Sequence, residues 1–333
     1  MKRKVALVLS SGGPRGFAYI GALEELEARG YEVTSVAGTS IGSLVGGIYA
    51  AGKLPEFKEW LYRLDAWKVF SLLDLSIGLN HVVKGEKIIE AMRQVVPDVD
   101  IEALKIPFVA VAADLYTGEE VLFREGKLFT AIRASISIPS LFRPVPHGLT
   151  KLIDGCVANC LPLSRVQRTE GDLLVAFDVN DINVGEIRAI LEQEHAAREV
   201  DNAFGRQKRL ELREAISTAT SIESVSLVDK LKYVGSRAVS VLKEVISYEE
   251  NYNADTAMIY GENYYNLIDR SFSLMNHRQS ELSIALHRPD IVVRMPFDAY
   301  GQMSDYAKAQ EIADEGRRLM AEALDRYESS QEC

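Results

Sequence analysis

The pentapeptide Gly38-Thr39-Ser40-Ile41-Gly42 has the form G-x-S-x-G, a serine on a sharp turn between a strand and a helix. Glycines at both flanks suit a turn too tight for side chains and leave the serine hydroxyl exposed. A serine at a helix N-terminus also feels a field that favours developing negative charge. On its own the pentapeptide is equally compatible with a plain glycine-rich strand–helix turn. A second loop, Ser10-Ser11-Gly12-Gly13-Pro14-Arg15-Gly16, again lies between an apolar run and a helical pattern. The amides of Gly12 and Gly13 could converge on an oxyanion, whereas Pro14 has no N–H and suits the first position of a helix. The rival is a phosphate- or dinucleotide-binding loop. Ser11 stands where the first glycine of G-x-G-x-x-G would be, and the Lys-Ser/Thr of a P-loop is absent, so beside a serine elbow the oxyanion reading is the stronger.

A nucleophilic serine needs a base. The five histidines, His81, His147, His195, His277 and His287, lie in no context that marks one as the last member of a Ser–Asp–His order. The better candidate is Asp154 in Leu152-Ile153-Asp154-Gly155, directly after a strand, although an aspartate there also suits a simple turn. Cys156 and Cys160 have no accompanying cluster of metal-ligating residues, and with Cys333 they make an odd count; incidental thiols are expected, with neither a metal nor a disulfide framework.

In their order, a glycine-rich loop, Gly-Thr-Ser-x-Gly and Asp-Gly, these motifs resemble the patatin-like phospholipases. Further matching segments are Val83-Lys84-Gly85, Ala112 to Glu119 (Ala-Ala-Asp-Leu-Tyr-Thr-Gly-Glu), Arg133 to Pro139, Asn159 with Pro162, and His287 to Val293. The resemblance covers roughly residues 1–180 and 285–327. It implies an α/β three-layer sandwich with a mostly parallel sheet and an acyl-ester hydrolase working on lipids. In that reading Ser40 and Asp154 form a dyad without histidine. Gly12, Gly13 and Arg15 build the oxyanion site, Gly38 and Gly42 flank the elbow, and Gly155 completes the Asp-Gly motif. Burial would have to raise the aspartate, ordinarily near pKa ~3.9, for it to serve as base. Arg15 is as readily read as a surface arginine at a helix start. This sequence departs from the family pattern at Ser11, where a third glycine is common, and at Cys156, where Gly or Ala is usual. An acyltransferase or thioesterase using the same acyl-serine, and a catalytically silent lipid-binding module, are the alternatives.

Positioning such residues requires strands that end where they begin. Val5–Leu9 is a continuous apolar run, as in a strand buried on both faces. Phe17–Arg29 carries apolar residues at helical spacing and stops at Gly30; Val33–Ala37 and Ile41–Ala51 repeat the strand and helix. Phe108–Ala113 and Glu120–Phe123 read as paired strands about an Asp-Gly turn, and Leu128–Ser137 as a helix stopped before Pro139. Lys151–Ile153, Leu173–Phe177 and Ile291–Arg294 follow as strands, and Ser304–Tyr327 as an amphipathic helix. Residues 181–286 are polar and poor in Gly and Pro, which suggests a helical insertion or cap between a core of 1–180 and a closing segment of 287–333. Within it, Val225–Ile246 has the spacing of either an interfacial helix or an ordinary packed one.

With 333 residues, 47% hydrophobic and 26% charged, the chain has the composition of a globular protein that can bury a large core. A net charge of −10 argues against non-specific nucleic-acid binding and gives no long-range pull toward anionic membranes, leaving at most transient contact with a membrane surface. Met1-Lys2-Arg3-Lys4 and the short run after it do not make a signal peptide, so a cytoplasmic protein without a cofactor is expected.

Overall fold

The computed structural model describes residues 3–64, 68, 85–139, 141–185, 264–301 and 305–331, with scattered helical positions between 187 and 217. The stretch Val225–Ile246 lies outside the described residues, as do His81, His195 and Cys333. Two compact units are present, residues 1–182 with 263–333, and residues 183–262. All that follows concerns the first unit.

Eight strands form one sheet: β1 (Lys4–Leu9), β2 (Glu32–Thr39), β3 (Phe108–Asp114), β4 (Glu120–Phe123), β5 (Val145–His147), β6 (Thr150–Asp154), β7 (Leu173–Asp181) and β8 (Ile291–Pro296). Strands β3, β2, β1, β7 and β8 run parallel in that spatial order, while β4, β5 and β6 are antiparallel additions. The continuous apolar runs are explained by burial on both faces. Along β1, Val5, Leu7 and Leu9 join one apolar cluster, and Ala6 and Val8 join another on the opposite face.

The larger cluster is roofed by α1 (Ala18–Ala28), α2 (Ile41–Ala50), α3 (Leu54–Tyr62), α4 (Glu86–Arg93) and α5 (Leu128–Ser135), and by α7 (Ala309–Gln331). The opposite face is covered by Leu161, Leu163 and Val166, with Ile284 of α6 (Tyr264–His287). Helices, sheet and this second cover make the three-layer α/β arrangement that the family resemblance implies. The hairpin of β3 and β4 closes on Asp114, whose Oδ1 accepts the amides of Tyr116 at 2.8 Å and Thr117 at 3.0 Å.

The expected insertion is longer at its C-terminal end than the second unit, because α6 belongs to the core. Ser280 Oγ donates to Asp178 at 3.1 Å, Ser283 Oγ to the Leu161 carbonyl at 2.8 Å, and Gln279 Nε2 to the Cys156 carbonyl at 3.1 Å. Inverted amphipathicity hid this from the sequence. Ser273, Asn276 and Ser280 are buried, whereas Leu274, Met275, Leu282 and Leu286 face outward. Hydrophobic patterning assumes the reverse. Among the described residues, no helix is long and apolar enough to cross a membrane.

Helices α1 and α7 touch backbone to backbone. A Cβ on Gly21 would lie 1.8 Å from the Ala313 carbonyl oxygen, and one on Gly316 would lie 2.0 Å from that of Ala18. Gly21→Val and Gly316→Val must therefore push the two helices apart. Each is expected to cost at least ~2 kcal/mol, read as a lower urea midpoint at unchanged m-value; midpoints equal to wild type would contradict this packing.

Candidate active site

Where β2 stops, β6 begins to occupy its place. Val111 pairs with Thr39 of β2 and with Leu122 of β4, while Ala112 pairs with Asp154 of β6 and with Val121 of β4. A strand has two edges, and β4 takes one of them along both residues. Strands β2 and β6 thus share the other edge of β3 and meet head to head. Ser40 leaves that junction from one side, and Asp154 arrives from the other.

Geometry at the junction is tight. Ser40 has φ 56° and ψ −124°, a conformation disfavoured for any residue with a Cβ. Its hydroxyl donates to Asp154 Oδ2 at 2.5 Å, and both residues are buried. The gap left in the ladder is filled by Ser135 at the end of α5. Ser40 N donates to Ser135 Oγ at 2.9 Å, and Ser135 Oγ donates to the Val111 carbonyl at 2.6 Å. Asp154 N donates to the Ser137 carbonyl at 2.9 Å. The flanking glycines are sterically required: a Cβ on Gly42 would lie 2.4 Å from the Leu9 carbonyl oxygen, and one on Gly155 2.2 Å from that of Val111. Gly38 packs against Gly42 in the same manner.

Asp154 holds a carboxyl with two distinct acceptor sites. Oδ2 faces Ser40, and Oδ1 accepts the Cys156 amide at 2.9 Å. Burial pushes this carboxyl up to about 6, partly opposed by the Ser40 hydroxyl and the Cys156 amide, both of which favour the ionised form. The neighbouring Cys156 thiol is raised well above its ordinary range, by burial and by the Asp154 charge, so it stays a neutral SH.

The glycine-rich loop lies alongside. Gly13–Phe17 forms a 3-10 turn, and a Cβ on Gly16 would strike Ile41, the residue after the serine. Among the described residues, the amides of Gly12 and Gly13 meet no backbone acceptor. Arg15 is fully buried, so the surface reading is corrected: its guanidinium donates through Nη1 to the Phe297 carbonyl. That bond ties the loop to the residue that follows β8, a burial that its place among glycines could not disclose.

The described histidines lie elsewhere. His147 stacks edge-on against Phe123, His277 contacts the Asn180 carbonyl, and His287 contacts that of Ser283. Among the described residues, one cluster has metal-ligand chemistry: donor atoms of Asp181, His277 and Glu281 lie within 4.8 Å of one another, but Arg294 already bridges the two carboxylates. Sequence reasoning missed Ser135 and Ser137, although both sit in the segment Arg133–Pro139 that carried the family resemblance. It also missed Asn180, whose only sequence signal is a polar residue at the end of an apolar strand.

Residues 7–166 match the family model described as patatin-like phospholipase. An uncharacterized NTE family protein of Mycobacterium tuberculosis is 42% identical over 185 residues, 56% of this chain and 51% of that protein. The chain thus spans about half the length of that mycobacterial relative. Neuropathy target esterase sws of Drosophila melanogaster is 29% identical over 182 residues, 53% of this chain and 13% of that protein. Patatin-like phospholipase domain-containing protein 6 of Mus musculus is 30% identical over the same length and shares.

A raised carboxyl has a thermodynamic signature. Burial holds the Asp154 carboxyl at about 6 in the folded protein, above the 3.8 of an ordinary aspartate. Below both values the folded and unfolded states are equally protonated and the contribution to stability is full. As pH rises between them, only the unfolded chain releases its proton, and stability falls by on the order of 3 kcal/mol before levelling off above 6. Asp154→Asn cannot titrate at this position, so wild type should lose stability relative to the variant across pH 4–6. Chemical denaturation at several pH values measures it; a pH-independent difference would show that Asp154 is not perturbed.

Proposed function

With residues 7–166 belonging to the patatin-like phospholipase family, we propose that the chain is a serine acyl-ester hydrolase acting on lipids, of phospholipase A or lysophospholipase type, through Ser40 and Asp154. The observation that carries this reading is the 2.5 Å hydrogen bond from a strained, buried serine to a buried carboxyl held near 6.

An aspartate at its ordinary value is a poor base for a hydroxyl. Raising it to about 6 narrows the gap while leaving it ionised at neutral pH. Ser40 Oγ attacks the ester carbonyl carbon and its proton passes to Asp154 Oδ2. The carbonyl π electrons move to oxygen, and that oxyanion is received by the amides of Gly12 and Gly13, with Arg15 holding the loop in place. Collapse expels the alcohol, which takes the proton from Asp154, and leaves the acyl group on Ser40. Water then attacks the acyl-serine, again losing its proton to Asp154, and the acid departs with the serine restored. The second nitrogen of a histidine is not needed, because the same carboxyl oxygen faces the serine in both half-reactions. The substrate reaches the site as a lipid at a membrane surface, by transient contact.

Ser40→Ala should abolish labelling by a fluorophosphonate probe, and Asp154→Asn should lower kcat by ~10³ or more on a short-chain ester. Since the base must be ionised, kcat/KM should rise with unit slope up to about pH 6 and then level. Labelling that survives Ser40→Ala, or a His277→Ala or His287→Ala variant as damaged as Asp154→Asn, would overturn the dyad.

A further inference from the structure

The glycine-rich loop can serve an oxyanion only if its peptide planes are turned the right way. From the hydrogen bonds behind it, we propose that Asn180 is a positioning residue that sets the orientation of the Gly12 N–H. This rests on the acyl-hydrolase reading and deepens it.

One peptide group carries the coupling. Peptides in the described chain are trans, so a carbonyl and the following N–H point in opposite directions. The Ser11 carbonyl and the Gly12 N–H belong to the same plane. Asn180 Nδ2 donates to the Ser11 carbonyl oxygen at 2.7 Å, and Ser10 Oγ donates to it at 2.9 Å. Two donors therefore pull the carbonyl toward β7 and turn the Gly12 N–H away from it. The plane before it is also pinned: Ser11 N donates to the Cys160 carbonyl at 3.0 Å, and Tyr19 OH donates to the Ser10 carbonyl at 2.8 Å. Gly12 itself packs closely against Val179, where a Cβ would come within 2.2 Å of its Cγ2.

Asn180 is itself held in one orientation. It is fully buried, and its Nδ2 faces the Ser11 carbonyl, Asp178 Oδ1 at 3.0 Å and the Cys160 sulfur at 3.4 Å, all of which accept. Reversing the carboxamide would set its oxygen against those acceptors, at a cost of lost bonds in a dry interior. Asp178 is anchored in turn by Ser280 of α6 and by the Asn180 amide. The chain of contacts runs from α6 through Asp178 and Asn180 to the Ser11–Gly12 peptide, and Asn180 makes no direct contact with Ser40 or Asp154.

That separation makes the role testable. With an ester such as p-nitrophenyl butyrate, Asn180→Ala should lower kcat by about 10- to 100-fold, less than the loss of an oxyanion donor outright, with KM within about twofold of wild type. The kcat/KM midpoint near pH 6 should stay in place, because no contact of Asp154 is touched. Sulfur accepts hydrogen bonds from N–H groups poorly, so the ester-to-thionoester rate ratio should fall in the variant, a change that general loosening of the fold does not produce. Ser10→Ala removes the other donor with little change in volume, and it carries the test if Asn180→Ala does not fold; it should show the same shifts, reduced. A kcat within about threefold of wild type in the folded variants, or a ratio that does not move, overturns the proposal. Failure of the hydrolase reading looks different: wild type and Ser40→Ala would then turn over ester equally.

Discussion

Everything at this site depends on two strands competing for one edge of a third. Strand β3 offers the edge at Val111 to β2 and at Ala112 to β6, one parallel and one antiparallel. Neither can extend without displacing the other, so both end there, and the residues that follow are forced into sharp turns. That constraint supplies the strained backbone of Ser40 and delivers Asp154 to it without a flexible loop on either side. It also leaves backbone groups without ladder partners. Ser135 takes them up, accepting from Ser40 N and donating to the Val111 carbonyl. Rigid elements that end at the reacting atoms hold them more accurately than loops can.

Parts of this arrangement were legible in the sequence for definite reasons. Val5–Leu9 reads as a doubly buried strand because side chains on both faces are apolar, and the structure gives it neighbours on both faces. Gly38, Gly42 and Gly155 are visible because a junction this tight admits no Cβ, so the composition records the geometry. Polar residues at strand ends carry no such mark. Asp178 and Asn180 lie just past the strand read over Leu173–Phe177, and sequence does not tell a buried hydrogen-bonded amide from a solvated one. The same blindness applied to α6, where serines face inward and leucines outward. Arg15 was open for an allied reason: a cation is expected at the surface unless a carbonyl such as that of Phe297 waits to receive it.

The electrostatics of the site follow from its dryness. Burial raises Asp154 and the Cys156 thiol together, but with opposite consequences for chemistry. The carboxyl becomes a better base and remains ionised near neutrality. The thiol, already weak, is removed from reactivity and serves as an uncharged neighbour. In the proposed dyad a single environment thus selects which of two adjacent groups takes part. Placing a cysteine after the Asp-Gly pair fills the pocket and adds no competing nucleophile.

The contact between α1 and α7 bears on how the molecule is made. Gly21 and Gly316 bring two backbones together from opposite ends of the described chain, and β8 pairs with β7 only after residues 183–262 have been passed. Contacts so distant in sequence form late, and during synthesis the N-terminal strands emerge long before the partners that cover them. While the ribosome is still translating toward residue 331, the apolar flank of α1 and one edge of β7 stand open. The nascent chain therefore holds Ser40, Ser135 and Asp154 complete while the acceptor for Arg15, the Phe297 carbonyl, is still to be made.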